Sequence, residues 1–131
     1  MEKINYTVSP IGTHLIIDLY DCKCDFLDNP NKIQQILTET AQISNTTTLN
    51  IYVHKFKPYG VSGYVLISES HISIHTWPEC NYASLDIYTC GNNSLPTNGF
   101  DYLVEKLDSR KPTIIKIERG LYAEKFKTDD G

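Results

Sequence analysis

Ser68-Glu-Ser-His-Ile-Ser-Ile-His-Thr-Trp-Pro-Glu79 alternates apolar and polar side chains through residues 72–77. Ile72 and Ile74 point one way; His71, Ser73, His75 and Trp77 point the other. A two-residue period predicts a strand with one buried face. Working outward, residues 61–68 and 83–90 read as flanking strands, and Pro58-Tyr59-Gly60 as a turn. Leu49, Ile51 and Val53 keep the same period. Residues 13–20 form a first strand with Leu15, Ile17 and Leu19 on one side, and residues 114–118 a last one. Helical spacing appears twice. Asn29-Pro30 reads as a cap and first turn, followed by Ile33, Ile36, Leu37 and Thr40 to about Ser44. Phe100, Leu103, Val104 and Leu107 mark a second helix after a loop at residues 91–98.

The order β-α-β-β-β-β-α-β, with short turns between strands, predicts an α+β fold: an antiparallel sheet with two helices on one face. Parity places Leu49, Ile51, Val53, Ile72, Ile74, Leu85 and Ile87 under the helices. It places His54, Phe56, His71, Ser73, His75, Trp77, Asp86, Tyr88 and Cys90 on the other face. Two helices cannot cover both faces, and Phe56, Trp77 and Tyr88 are costly to leave bare. We therefore expect a homodimer in which two such faces oppose each other as an αββα sandwich.

The chain has 131 residues, enough for one domain, with 40% hydrophobic residues and a net charge of −4. Scattered lysines on an acidic chain argue against a nucleic-acid partner. No run approaches the ~18 apolar residues of a membrane span, and residues 1–6 lack a secretory core, so we expect a cytoplasmic protein. Residues 1–10 and those after Lys125 read as loose ends. The four cysteines, Cys22, Cys24, Cys80 and Cys90, are expected to stay reduced. A zinc site from Cys22, Cys24, Cys80 and a histidine lacks the spacing of a known module, so no metal is expected.

Ser70, His71, Ser73 and His75 admit several chemistries. They can be a hydrated polar face. Ser70 and His75 with Asp86 supply the residue types of a hydrolytic triad, but no Gly-x-Ser-x-Gly elbow is present. They also suit self-processing. Ser70 Oγ would attack the Glu69 carbonyl and turn an amide into an ester. A base would then take the Ser70 α-proton, and the carboxylate of Glu69 would leave. The dehydroalanine left behind hydrolyses to a pyruvoyl group and ammonia. This needs a strained or polarised peptide, a donor for the oxyanion and a base near the α-carbon.

His54-Lys-Phe-Lys-Pro-Tyr-Gly-Val-Ser-Gly63, the run from Ile67 to Glu79, and Tyr82-Ala-Ser-Leu-Asp-Ile-Tyr-Thr-Cys-Gly91 resemble three consecutive signature blocks of the short prokaryotic S-adenosylmethionine decarboxylase proenzymes. Weaker similarity runs from Gly12-Thr-His-Leu15 to Arg119-Gly-Leu-Tyr122. The resemblance implies a single domain, residues 1–131, that cleaves itself between Glu69 and Ser70 into 1–69 and 70–131. Ser70 becomes the pyruvoyl cofactor and forms the Schiff base with substrate. Ser62 and His75 match processing residues, His75 as the base. Cys90 matches the proton donor to the product. Phe56, Glu79 and Trp77 match substrate contacts: an adenine-stacking ring, a ribose-binding carboxylate and an aromatic face. The implied reaction decarboxylates S-adenosylmethionine to the aminopropyl donor of spermidine synthesis. A pyruvoyl-dependent ornithine or arginine decarboxylase and a non-catalytic regulatory homologue are the alternatives.

Two features stand apart from this pattern. Cys80-Asn81 replaces the aromatic-or-His plus Gly that commonly follows Trp-Pro-Glu, and the N-terminal extension is longer than usual. One geometric demand follows as well. On a straight strand, Ser70 and His75 lie about 16 Å apart at ~3.3 Å per residue. Direct proton transfer between them requires a bend near residues 69–71, or rearrangement after cleavage.

Overall fold

The computed structural model describes residues 11–121. Both loose ends inferred from sequence lie outside the described residues. Six strands form one antiparallel sheet in the order β2-β3-β4-β5-β1-β6. They are β1 (Gly12–Cys22), β2 (Thr48–Lys55), β3 (Val61–Ile67), β4 (Ser70–Trp77), β5 (Tyr82–Cys90) and β6 (Ser109–Arg119). Helices α1 (Pro30–Ile43) and α2 (Pro96–Leu107) lie over one face, and a short 3₁₀ turn at Pro78–Cys80 joins β4 to β5. The α+β class and the helix-covered face agree with the sequence reading.

Local chemistry explains the boundaries. The Asn29 side chain accepts the Lys32 amide, and Pro30 occupies the first helical turn of α1. Ile33, Ile36, Leu37 and Ala41 form its buried stripe, which shares one core with Val65, Ile67, Ile72, Ile74, Leu85 and Ile87. Each valine, leucine and isoleucine among them contributes about 1.5–3 kcal/mol when fully buried. Gly99 is required where α2 meets α1, because a Cβ there would sit 2.2 Å from Ser44 Oγ.

Three expectations change. Leu49 is 60% exposed rather than under the helices, because the β2–β3 register shifts between Thr48 and Asn50. The last strand begins at Ser109, five residues before the apolar run at 114. Lys111 and Pro112 lie outside the apolar run, yet they pair with the long β1, and an edge strand tolerates proline. Helix α2 begins at Pro96 and not at Phe100, since proline suits a first turn whose amides need no partner.

Candidate active site

Strands β3 and β4 are joined by Ser68 and Glu69 alone, with Ile67 opposite Ser70. Glu69 takes a left-handed conformation, φ +66°, a slot that favours glycine. The peptide bond after this strained residue leads into Ser70. Ser70 is 6% exposed, and its hydroxyl donates to Cys90 Sγ at 3.0 Å. The Cys90 thiol faces the carbonyl oxygen of Glu69 at 3.5 Å. One thiol therefore touches both the Ser70 hydroxyl and the Glu69 carbonyl oxygen. The register that sets His71 opposite Tyr88 carries the end of β5 to this turn, which is why residues so far apart in sequence meet.

A second pair lies at the other end of β4. Ser62 sits opposite His75, and Ser62 Oγ is 2.8 Å from His75 Nδ1. Both belong to the face without helices, beside a concavity of about 190 Å³ that Tyr52, His54, Tyr64 and Ser73 also line. Strand β4 runs unbroken from Ser70 to Trp77. The bend that the chemistry demanded falls at Ser68–Glu69, upstream of Ser70, so it does not shorten the span. Within one chain the structure unites Ser70 with Cys90 and Ser62 with His75, and it keeps the two pairs apart.

The residues matched to substrate contacts gather at the His75 end. Phe56, 46% exposed, follows β2 and meets the His54 ring edge-on at 4.6 Å. Trp77, 41% exposed, lies 6.3 Å from the His75 ring and stacks on Tyr82 at 5.2 Å. Glu79 is exposed in the turn after Trp77. Tyr82 stacks in turn on Tyr20, and its hydroxyl donates to Asp18 at 2.5 Å. Burial, reinforced by that bond, pushes the Tyr82 phenol up to about 12. The sequence reading missed this Asp18–Tyr82–Tyr20 buttress. Its signal was the alternation of β1, which puts Asp18 and Tyr20 on the open face.

Asp86 is not a partner of His75. It lies 2.9 Å from His14 Nε2 and accepts from Ser73 Oγ at 3.4 Å. A triad of Ser70, His75 and Asp86 is therefore not assembled. Among the described residues, no three His, Cys, Asp or Glu side chains gather as metal ligands. No described helix is long and apolar enough to cross a membrane.

Residues 13–120 match the family model described as S-adenosylmethionine decarboxylase. The chain is 46% identical over 114 residues to the S-adenosylmethionine decarboxylase proenzyme of Thermosipho africanus, covering 87% of this chain and 88% of that one. It is 41% identical to the proenzyme of Pyrococcus furiosus, covering 87% and 82%. The crystal structure of the adenosylmethionine decarboxylase from Aquifex aeolicus superposes with a TM-score of 0.81 at 34% identity, covering 91% of this chain and 98% of that one. The Ser70–Cys90–Glu69 arrangement thus sits in a fold and a sequence that share one origin with these enzymes, and the chain belongs to the S-adenosylmethionine decarboxylase family.

Proposed function

We propose that this chain is a proenzyme that cleaves itself between Glu69 and Ser70, and that the product decarboxylates S-adenosylmethionine. The observation that carries the reading is the Cys90 thiol within hydrogen-bond reach of both Ser70 Oγ and the Glu69 carbonyl. Ser70 Oγ adds to that carbonyl, and the Cys90 thiol is placed to steady the oxygen as it gains charge. The C–N bond breaks, leaving Glu69 as an ester on Ser70. Loss of the α-proton expels the Glu69 carboxylate. The dehydroalanine tautomerises, takes up water and releases ammonia as the pyruvoyl group forms. The left-handed Glu69 raises the ground state of the peptide to be broken.

Ser70, Cys90 and the turn fit this prosthetic group, which supplies an electron sink for the pair left by the departing carboxylate. The residues around it bind, orient and move protons. Cys90 is placed to return a proton to the product carbon, a role that needs a free thiol and suits a reducing cytoplasm. Phe56 and Trp77 offer faces for a purine and a sulfonium, and Glu79 offers a carboxylate to a ribose. The relatives at 46% and 41% identity are S-adenosylmethionine decarboxylase proenzymes, which supports S-adenosylmethionine over ornithine or arginine.

The α-proton still needs a base, and His75 of the same chain is too far away. We place it on a second copy. A two-fold axis lying between two open faces and crossing β4 near Ser73 sets the Ser70 end of one strand against the His75 end of the other. The partner's Ser62 and His75 then complete each site, and the αββα homodimer becomes a catalytic requirement.

Intact mass of the purified protein tests the cleavage, with separate fragments 1–69 and 70–131 expected, the second blocked to Edman degradation. Trapping carbon dioxide from S-adenosylmethionine, ornithine and arginine in separate incubations tests the substrate. A permanently single chain that consumes none of them refutes the reading.

A further inference from the structure

The turn that carries Phe56 is tied down by a group far away in sequence. Asp28, in the loop before α1, accepts the Gly60 amide at 2.7 Å and pairs with Lys55 Nζ at 3.1 Å. The same ammonium donates to the carbonyls of Phe56 at 2.5 Å and Pro58 at 3.3 Å. The Phe56 amide closes the turn on the Gly60 carbonyl at 2.8 Å. Gly60 has φ +111°, and a Cβ there would approach the Thr76 carbonyl, so the turn has little freedom to shift toward β4. Alongside, Thr76 Oγ1 accepts the Val61 amide and donates to the Leu27 carbonyl. The loop before α1 therefore grips both the β2–β3 turn and β4. The Gly60 amide, helped by Lys55, holds the Asp28 carboxyl below its ordinary range.

We propose that Asp28, acting through Gly60 and Lys55, is a positioning residue for substrate, fixing the Phe56–Gly60 turn at the mouth of the site. This rests on the reading that Phe56 contacts substrate. The clamp has two effects. It holds the Phe56 ring at one place beside His54, and ring placement decides how well a flat base stacks. It also pairs the Lys55 ammonium with an anion, one residue from a ring that would receive a cationic substrate. The clamp is not part of the cleavage chemistry, because Ser62 and His75, the processing pair at this end of β4, bond each other and neither bonds Asp28 or Lys55.

The test compares wild type, D28N, K55M, F56A and D28N/F56A as full chains. The expected result for D28N is a KM for S-adenosylmethionine raised about tenfold, with kcat and the extent of self-cleavage within twofold of wild type. K55M moves KM in the same direction by less. On the F56A background, D28N adds less than twofold, since the two residues act as one unit. A readout free of turnover accompanies this: hydrogen exchange of the Gly60 amide should accelerate at least tenfold in D28N. If wild type fails to cleave or turn over while exchange responds as expected, the functional reading falls and the clamp stands. An unchanged KM and unchanged Gly60 exchange in D28N overturn the inference, as does a joint fall in cleavage and kcat. Should D28N not fold, an unaltered KM in K55M overturns it alone.

Discussion

Two non-glycine residues in left-handed backbone, Glu69 and Asn81, flank β4 and the turn that follows it, and they do different work. Asn81 has φ +51° and closes the turn after Glu79. It stands where the family pattern commonly has glycine, and asparagine is the side chain that best tolerates that conformation. The departure noticed in sequence is therefore a conservative replacement, legible as such only once the backbone angle is known. Glu69 is less well suited to its angle. A non-glycine residue held there stores about 1 kcal/mol, released if the bond after it breaks. E69G removes the penalty from the precursor. Its self-cleavage should slow about fivefold, the equivalent of ~1 kcal/mol in barrier, followed by the appearance of fragment 70–131 in a freshly refolded precursor. Folding stability is a poor readout here, because glycine also loosens the unfolded chain. Cleavage as fast as wild type would show that backbone strain does not drive the step.

At the scale of elements, alternation recovered nearly everything that faces a neighbour. Ile72, Ile74, Leu85 and Ile87 are under the helices, and the open-face residues share the other side. What escaped were contacts between elements. Asp18 and Tyr82 are paired because β1 lies beside β5, and Asp28 meets Gly60 because the loop before α1 reaches the β2–β3 turn. Neither adjacency is written in any local window. Leu49 failed for a related reason: a register shift undoes parity. The Asp18–Tyr82 bond has a pH signature. The Tyr82 phenol titrates near 12 in the fold against 10.0 when unperturbed. Its contribution to stability is complete below pH 10 and is lost as pH rises through about 12, because the unfolded chain releases that proton first. Y82F, which keeps the ring stack, should lower the neutral-pH unfolding free energy by about 1 kcal/mol and flatten the loss of stability between pH 10 and 12. Denaturant titrations across that range measure both. An alkaline limb identical to wild type would remove the bond from the stability of the sheet.

The whole molecule is where the sequence reading met its obstacle, the span between Ser70 and His75, and where the obstacle becomes informative. Ile16, Tyr20, Tyr52, Tyr64, Leu66 and Trp77 are all exposed, and they spread over four strands, β1 to β4, of the uncovered face. An apolar field this broad suits the second copy that we propose. If the partner's His75 serves each Ser70, the requirement can be met by two defective chains. S70A alone has nothing to cleave, and H75A alone has no base. Co-expressed, they form mixed dimers in which the intact Ser70 of an H75A chain faces the intact His75 of an S70A chain. Self-cleavage should return, and only in the H75A chains. Because His75 lies in residues 70–131, the mass of that fragment should carry the alanine substitution in every copy. A mixture that stays uncleaved, while size measurements confirm mixed dimers, would place the base within the same chain and require β4 to bend during processing. The S62A variant sharpens the distinction. It should complement S70A and fail to complement H75A, because Ser62 and His75 always arrive together from one copy.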